Sequence, residues 1–111
     1  MRILFKTKKL QKTCSVSKET IKQFGVKRGL KLQQRLMELK AAETLAEISH
    51  LPPPRCHELS GDRAGQLSVD LAHPYRLLFV VANEPAPMKD NGELDWAKVT
   101  EIKIIGIVDT H

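Results

Sequence analysis

The residues of this chain best equipped for chemistry are His57, Arg63, Arg76, Asp109 and His111. His57 precedes a glycine-bracketed turn, Gly61-Asp62-Arg63-Ala64-Gly65, and the chain closes on Asp109-Thr110-His111. Imidazole, with an ordinary pKa of about 6.5, takes up or releases a proton near neutrality. Arg63 and Arg76 carry permanent charge in a planar fork that matches phosphate. Asp109 can orient an imidazole or hold it protonated. Together these groups cover what RNA cleavage without a metal requires. One group removes the 2′-hydroxyl proton, another protonates the 5′-oxygen leaving group, and cations stabilise the charged phosphorane.

Other chemistries fit the residues less well. A zinc site built from Cys56, His57, His73 and His111 lacks both the Cys-x₂₋₄-Cys and the His-x₃₋₅-His spacing. There is no phosphate loop, nucleophile elbow or glycine-rich dinucleotide signature. Cys14 and Cys56 have no evident triad partners and read as ordinary buried thiols. No metal and no cofactor is expected.

The elements that must position these groups follow from periodicity. From Gln66 onward polar and apolar residues alternate: Leu67, Val69 and Leu71 face one way, and Gln66, Ser68 and Asp70 the other. That pattern marks a half-buried strand of an antiparallel sheet. Strands are expected around Cys56–Leu59, Gln66–Leu71 and Tyr75–Ala82, and the run Leu77-Leu78-Phe79-Val80-Val81 suits a central strand covered on both faces. Lys98 to Val108 reads as a long isoleucine-rich strand. The stretch 83–97, with Pro85, Pro87 and Asn91-Gly92, is a long loop or hairpin extension whose return Trp96 pins to the core. Near the start, Arg2–Phe5 is a short strand and Lys6–Lys12 a basic helical turn. Ser15 or Ser17 can cap a short helix that Ile21 and Phe24 anchor and Gly25 ends.

Lys27 to His50 is read as the main helix. Projected at 100° per residue, Leu30, Met37, Ala41, Leu45 and Ile48 fall on one side, and Leu32, Leu36, Leu39 and Ala46 roughly opposite. Such a helix is wedged between the sheet and a neighbouring helix, or else its outer stripe (assigned to Leu32, Leu36 and Leu39) docks a protein partner. Leu51-Pro52-Pro53-Pro54 then forces an extended connector. Strand, helices and an antiparallel run of strands make an α+β domain spanning 1–111.

A chain of 111 residues holds one modest core. No apolar run approaches the ~20 residues that span a bilayer, and no signal peptide is evident, so a cytoplasmic location is expected. Residues 1–50 carry 12 Lys/Arg against 4 Asp/Glu, a net of +8, whereas residues 51–111 carry 6 against 9, a net of −3. The basic first half, Lys8, Lys9 and Lys12 included, suits RNA or an acidic protein partner.

The run HELSGDRAGQLSVDL, followed by YRLLF and closing in IVDTH, resembles the HigB-type toxins of the RelE/ParE superfamily, the plasmid maintenance killer proteins. The resemblance implies a compact fold of helices on a small antiparallel sheet. It also implies a bacterial type II toxin: a ribosome-dependent endoribonuclease that cleaves mRNA, arrests translation and is neutralised by a HigA-like helix-turn-helix antitoxin. That antitoxin would bring operator DNA into the assembly. Carried onto this chain, the site is His57, Asp109 and His111, with Arg76 at the phosphate and Arg63, Lys8, Lys9 and Lys12 on RNA. Many relatives carry an aromatic where this chain has Thr110, and the segment 83–97 is longer than in compact members. The ParE branch of the same superfamily implies a different activity, the non-catalytic poisoning of DNA gyrase, and Thr110 in place of the aromatic leaves open a weakly active toxin relic that mainly binds its antitoxin.

Overall fold

The continuous apolar run of β4 (Tyr75–Val81) lies in the interior of a five-stranded sheet, where Leu77, Leu78 and Phe79 are all buried. The structure, a computed structural model, describes residues 1–109. The other strands are β1 (Arg2–Phe5), β2 (His57–Glu58), β3 (Leu67–Asp70) and β5 (Glu101–Asp109), and the sheet order is β1-β5-β4-β3-β2. Pairing is antiparallel from β2 to β5, but β1 runs parallel to β5, with Arg2 opposite Glu101. The sheet is therefore mixed. A parallel pair needs a long crossover, and here nearly the whole chain intervenes.

Two helices cover one face. α1 (Lys8–Ser15) starts at Thr7, whose hydroxyl accepts a hydrogen bond from the Leu10 N–H at 3.0 Å. α2 (Ser17–Ala41) is broken at Gly25, which adopts φ +82°. Gly25 therefore interrupts the helix as its type suggests, since a left-handed backbone is natural only to glycine. Neither Ser15 nor Ser17 is the cap of α2. Val16 takes that position without a side-chain bond. Of the two expected anchors, Phe24 packs against the core, whereas Ile21 remains 41% exposed.

The main helix ends at Ala41, nine residues before His50. The Glu47 carboxylate accepts from the Glu43 and Thr44 N–H groups at 2.7 and 3.0 Å, which turns the chain into a separate 3₁₀ turn, Leu45–Glu47. Leu45 and Ile48 thus enter the core from that turn and share no helical face with Leu30 and Met37. The two stripes of the projection consequently exchange roles. Leu32 and Leu39 are 1% exposed and Leu36 packs against the core, while Leu30 and Met37 are 62% and 70% exposed. At the C-terminal end of α2 the Met1 ammonium donates to the Lys40 carbonyl at 2.9 Å and to that of Ala42, placing positive charge at the negative end of the helix dipole.

The core is the helix-facing side of the sheet: Leu67, Val69, Leu77, Phe79, Ile102 and Ile104 against Leu32, Leu39, Leu45 and Cys14. The segment between β4 and β5 is clamped at both ends. Asn83 accepts from the Thr100 and Glu101 N–H groups at 3.1 Å each. Trp96 packs on the core and donates through Nε1 to Glu58 at 3.3 Å. Between these anchors Met88 bridges Leu94 across a hairpin. No helix among the described residues is long and apolar enough to cross a membrane.

Burial assigns energies to the two stripes. Leu39→Ala should lower unfolding free energy by about 2–5 kcal/mol, whereas Met37→Ala should stay within about 0.5 kcal/mol of wild type. Urea denaturation of both variants measures the difference.

Candidate functional site

The turn that follows β2 sets the register of the site. Gly61 and Gly65, at φ +62° and +89°, bracket a tight 3₁₀ turn, and Leu59 N–H donates to the Gln66 carbonyl at 2.9 Å to close it. His57 then lies opposite Ser68, Ser68 opposite Leu78, and Leu78 opposite Gly106. These four residues form one row across the sheet, on the face away from the core. The next row on the same face holds Asp70, Arg76 and Val108, and Arg55 joins it through Asp70. The Arg55 guanidinium donates to the Asp70 carboxylate through Nε at 2.7 Å and Nη2 at 3.3 Å, and Arg76 Nε sits 3.6 Å from the same carboxylate. The adjoining carboxylate raises the Arg55 pKa through hydrogen bonding and charge. Arg55 is also strained: its φ of +46° is unusual for a residue with a Cβ.

That backbone geometry orients His57. Its Nδ1 lies 2.9 Å from the Arg55 carbonyl oxygen. A carbonyl only accepts, so Nδ1 carries the proton and, in the neutral ring, the lone pair resides on Nε2. Nε2 is therefore the atom able to act as a base.

This face also carries buried polar atoms with unspent capacity. Among the described residues, Gln66 Oε1, Ser68 Oγ and Arg76 Nε are buried without a hydrogen-bond partner. Alternation from Ser68 and Leu78 puts all three on the His57 side. Ser68 is fully buried, so β3 is covered on both faces, and the half-buried reading of this strand holds only near its ends.

The remaining expected site residues are dispersed. Arg63 is exposed in the 3₁₀ turn at the tip of the β2–β3 hairpin. Lys8, Lys9 and Lys12 are exposed on α1, which belongs to the helix-covered side. There Lys9 lines a cleft with Thr7, Phe24, Tyr75 and Ile107. Asp109 lies opposite Tyr75 in the register. Tyr75 in turn meets Phe24 edge-on at 5.8 Å and lies under the Arg28 guanidinium at 5.1 Å. The register therefore places Asp109 with the helix-facing residues of β5. β5 is separated from β2 by β4 and β3, about 14 Å at the usual strand spacing. Thr110 and His111 lie outside the described residues. Of the zinc candidates, Cys56 is buried in the core while its neighbour His57 faces the other side, so these two do not converge.

Arg55 and Asp70 are site residues that sequence reasoning missed. The signal was present: once His57 opposes Ser68, an antiparallel ladder sets Arg55 against Asp70. That register, however, depends on the length of a turn whose ends are not evident from composition.

No protein-family model matches the chain, and no curated protein matches it in sequence. Among solved structures, a YoeB/ParE toxin from Agrobacterium tumefaciens superposes over 100% of both chains with a TM-score of 0.59 at 12% identity. The chain thus has the α+β fold of a YoeB/ParE toxin, two helices on a five-stranded mixed sheet.

Burial pushes the Cys56 thiol up to about 12, with Glu58 adding to the rise, and the Cys14 thiol up to about 11. The reactive species is the thiolate, so raised values disfavour reaction until pH climbs well past 9. Native protein at pH 8 should leave both thiols unmodified by iodoacetamide, and urea-unfolded protein should take up two labels. Intact-mass spectrometry reads the count.

Proposed function

We propose that this chain is the toxin of a bacterial type II toxin–antitoxin pair and cleaves RNA as a metal-independent endoribonuclease, with mRNA on the ribosome as substrate. The observation that carries the reading is the sheet face on which His57, with its lone pair fixed on Nε2, lies one row from Arg76 and Arg55. A base beside fixed cations is the minimum for attack of a 2′-hydroxyl on its neighbouring phosphate. The YoeB/ParE fold supports the toxin class, and the HELSGDRAGQLSVDL and IVDTH motifs support the HigB type.

In this mechanism His57 Nε2 removes the 2′-hydroxyl proton as that oxygen bonds to phosphorus. Arg76 stabilises the charge that builds on the non-bridging oxygens. His111 protonates the departing 5′-oxygen and leaves a 2′,3′-cyclic phosphate, and Asp109, on the helix-facing side of β5, takes no step at that phosphate. Arg63 at the hairpin tip holds the flanking strand, and Lys8, Lys9 and Lys12 contact ribosomal RNA. A HigA-like antitoxin with an acidic contact surface neutralises the toxin. The apolar residues that α2 leaves exposed, Val26, Leu30 and Met37, with Lys27 and Lys31 beside them, suit such a contact.

Induced expression tests the activity. Mapped mRNA breaks with immediate translation arrest are expected, whereas an SOS response with intact mRNA would mean gyrase poisoning. His57→Gln and His111→Gln should each lower cleavage by about 10²–10⁴-fold while the circular dichroism spectrum and antitoxin binding are retained. A folded, fully toxic His57 variant would remove it from the mechanism. Thr110→Tyr should raise the cleavage rate if base stacking at that position limits it.

Charge reversal at Lys8, Lys9 and Lys12 should weaken ribosome co-sedimentation and flatten its salt dependence, because fewer counterions are released on binding. Unchanged sedimentation at every salt concentration would take α1 out of the RNA interface.

A further inference from the structure

The grouping of Arg55, Asp70 and Arg76 is more than a route to charge near His57. One carboxylate serves two guanidiniums. Arg55 grips it with two N–H groups, at 2.7 and 3.3 Å. Arg76 Nε approaches only to 3.6 Å, too far for a hydrogen bond, and stays buried without one. The carboxylate therefore occupies a two-arginine seat that it does not fill. It also has little freedom to leave with its backbone, because Asp70 N–H donates to the Pro54 carbonyl at 2.7 Å and its own carbonyl accepts from Arg35 at 2.9 Å. Only the side chain can rotate away. Its side chain is 27% exposed and that of Arg55 40%, so solvent and a large anion can both reach the pair. Guanidinium forks match phosphate as well as carboxylate, and a phosphodiester is the anion that this face would meet.

We propose that Asp70 is an internal rival to the substrate: its carboxylate latches Arg55 and Arg76 together, and an RNA phosphodiester must displace it to bind. The inference rests on the RNA-cleaving reading of the same face and adds to it a restraint on affinity. The strained Arg55 backbone fits a latch, since the ion pair to Asp70 helps to hold that residue in a conformation it would otherwise avoid. With the latch closed, Asp70 cancels one of two charges, which weakens indiscriminate attraction to polyanions. A phosphate seated in register with His57 gains both.

The test is equilibrium binding of a short 2′-O-methyl RNA, which lacks the nucleophilic hydroxyl and is not cut, followed by fluorescence anisotropy over a range of salt. Asp70→Asn should tighten binding severalfold and steepen the slope of log affinity against log salt by roughly 0.7, the increment for one more phosphate contact on a single strand. Arg55→Gln and Arg76→Gln should each weaken binding and flatten that slope by a similar step. A second readout needs no substitution: the Arg55 Nε–Hε resonance of the wild-type protein should shift as RNA saturates it. Binding by the wild type with no gain in Asp70→Asn, or an Arg55 resonance that RNA leaves unmoved, overturns the latch and leaves the nuclease reading intact. Failure of the wild type and of all three variants to bind RNA would remove both.

Discussion

Every polar group of Asp70 is engaged by a different part of the chain. Its N–H binds the connector at Pro54, its carbonyl takes the Arg35 guanidinium from α2, and its carboxylate holds Arg55 and faces Arg76 of β4. The end of β3 is thereby tied to the helix layer, to the proline-rich connector and to the neighbouring strand at once. Arg35 makes the constraint severe. It is 3% exposed, and apart from its bond to Asp70 its charge is answered by Glu38 one turn along at 3.0 Å. A buried guanidinium that lost these partners would be left uncompensated, so the geometry of the β3 end is enforced from inside the protein.

That anchoring separates the two faces of the sheet. The helix-facing side carries the aliphatic core, in which Cys14 and Cys56 are 2% and 0% exposed. The opposite side holds His57, Ser68, Asp70 and Arg76, with polar atoms whose bonding capacity is not used internally. A fold that spends its hydrophobic burial on one face can keep polar groups in fixed positions on the other. The bulge between Leu78 and Phe79, which sets Gly106 opposite Leu78, sits in the middle of that polar face and adds local twist there. At Gly106, the far end of the row from His57, a Cβ would meet nothing within 4 Å.

Much of the architecture was legible because it rests on local rules. The glycines at 61 and 65, the alternation after Gln66, the apolar run of β4 and the interruption at Gly25 each express a backbone or burial preference of a few neighbouring residues. The stripe assignment on α2 failed for an equally physical reason. A helical projection assumes the helix continues, and the Glu47 carboxylate bonded to Glu43 and Thr44 redirects the chain after Ala41. Leu45 and Ile48 then reached the core by another path, and the face that had been grouped with them turned outward.

The sequence by itself determined the element types, the mixed composition of helices and strands, the hairpin around Gly61–Gly65 and the presence of an imidazole beside a glycine turn. These depend on period, on φ preference and on side-chain chemistry, all properties of short stretches. Only the tertiary structure decided that β1 joins the sheet in parallel beside β5, that two strands separate β5 from β2, and that Arg55 and Arg76 meet on Asp70. Those outcomes depend on strand order and on which residues oppose one another across a ladder. Pairings between residues as distant as Arg2 and Glu101 follow from the burial of the whole core, which no local pattern encodes.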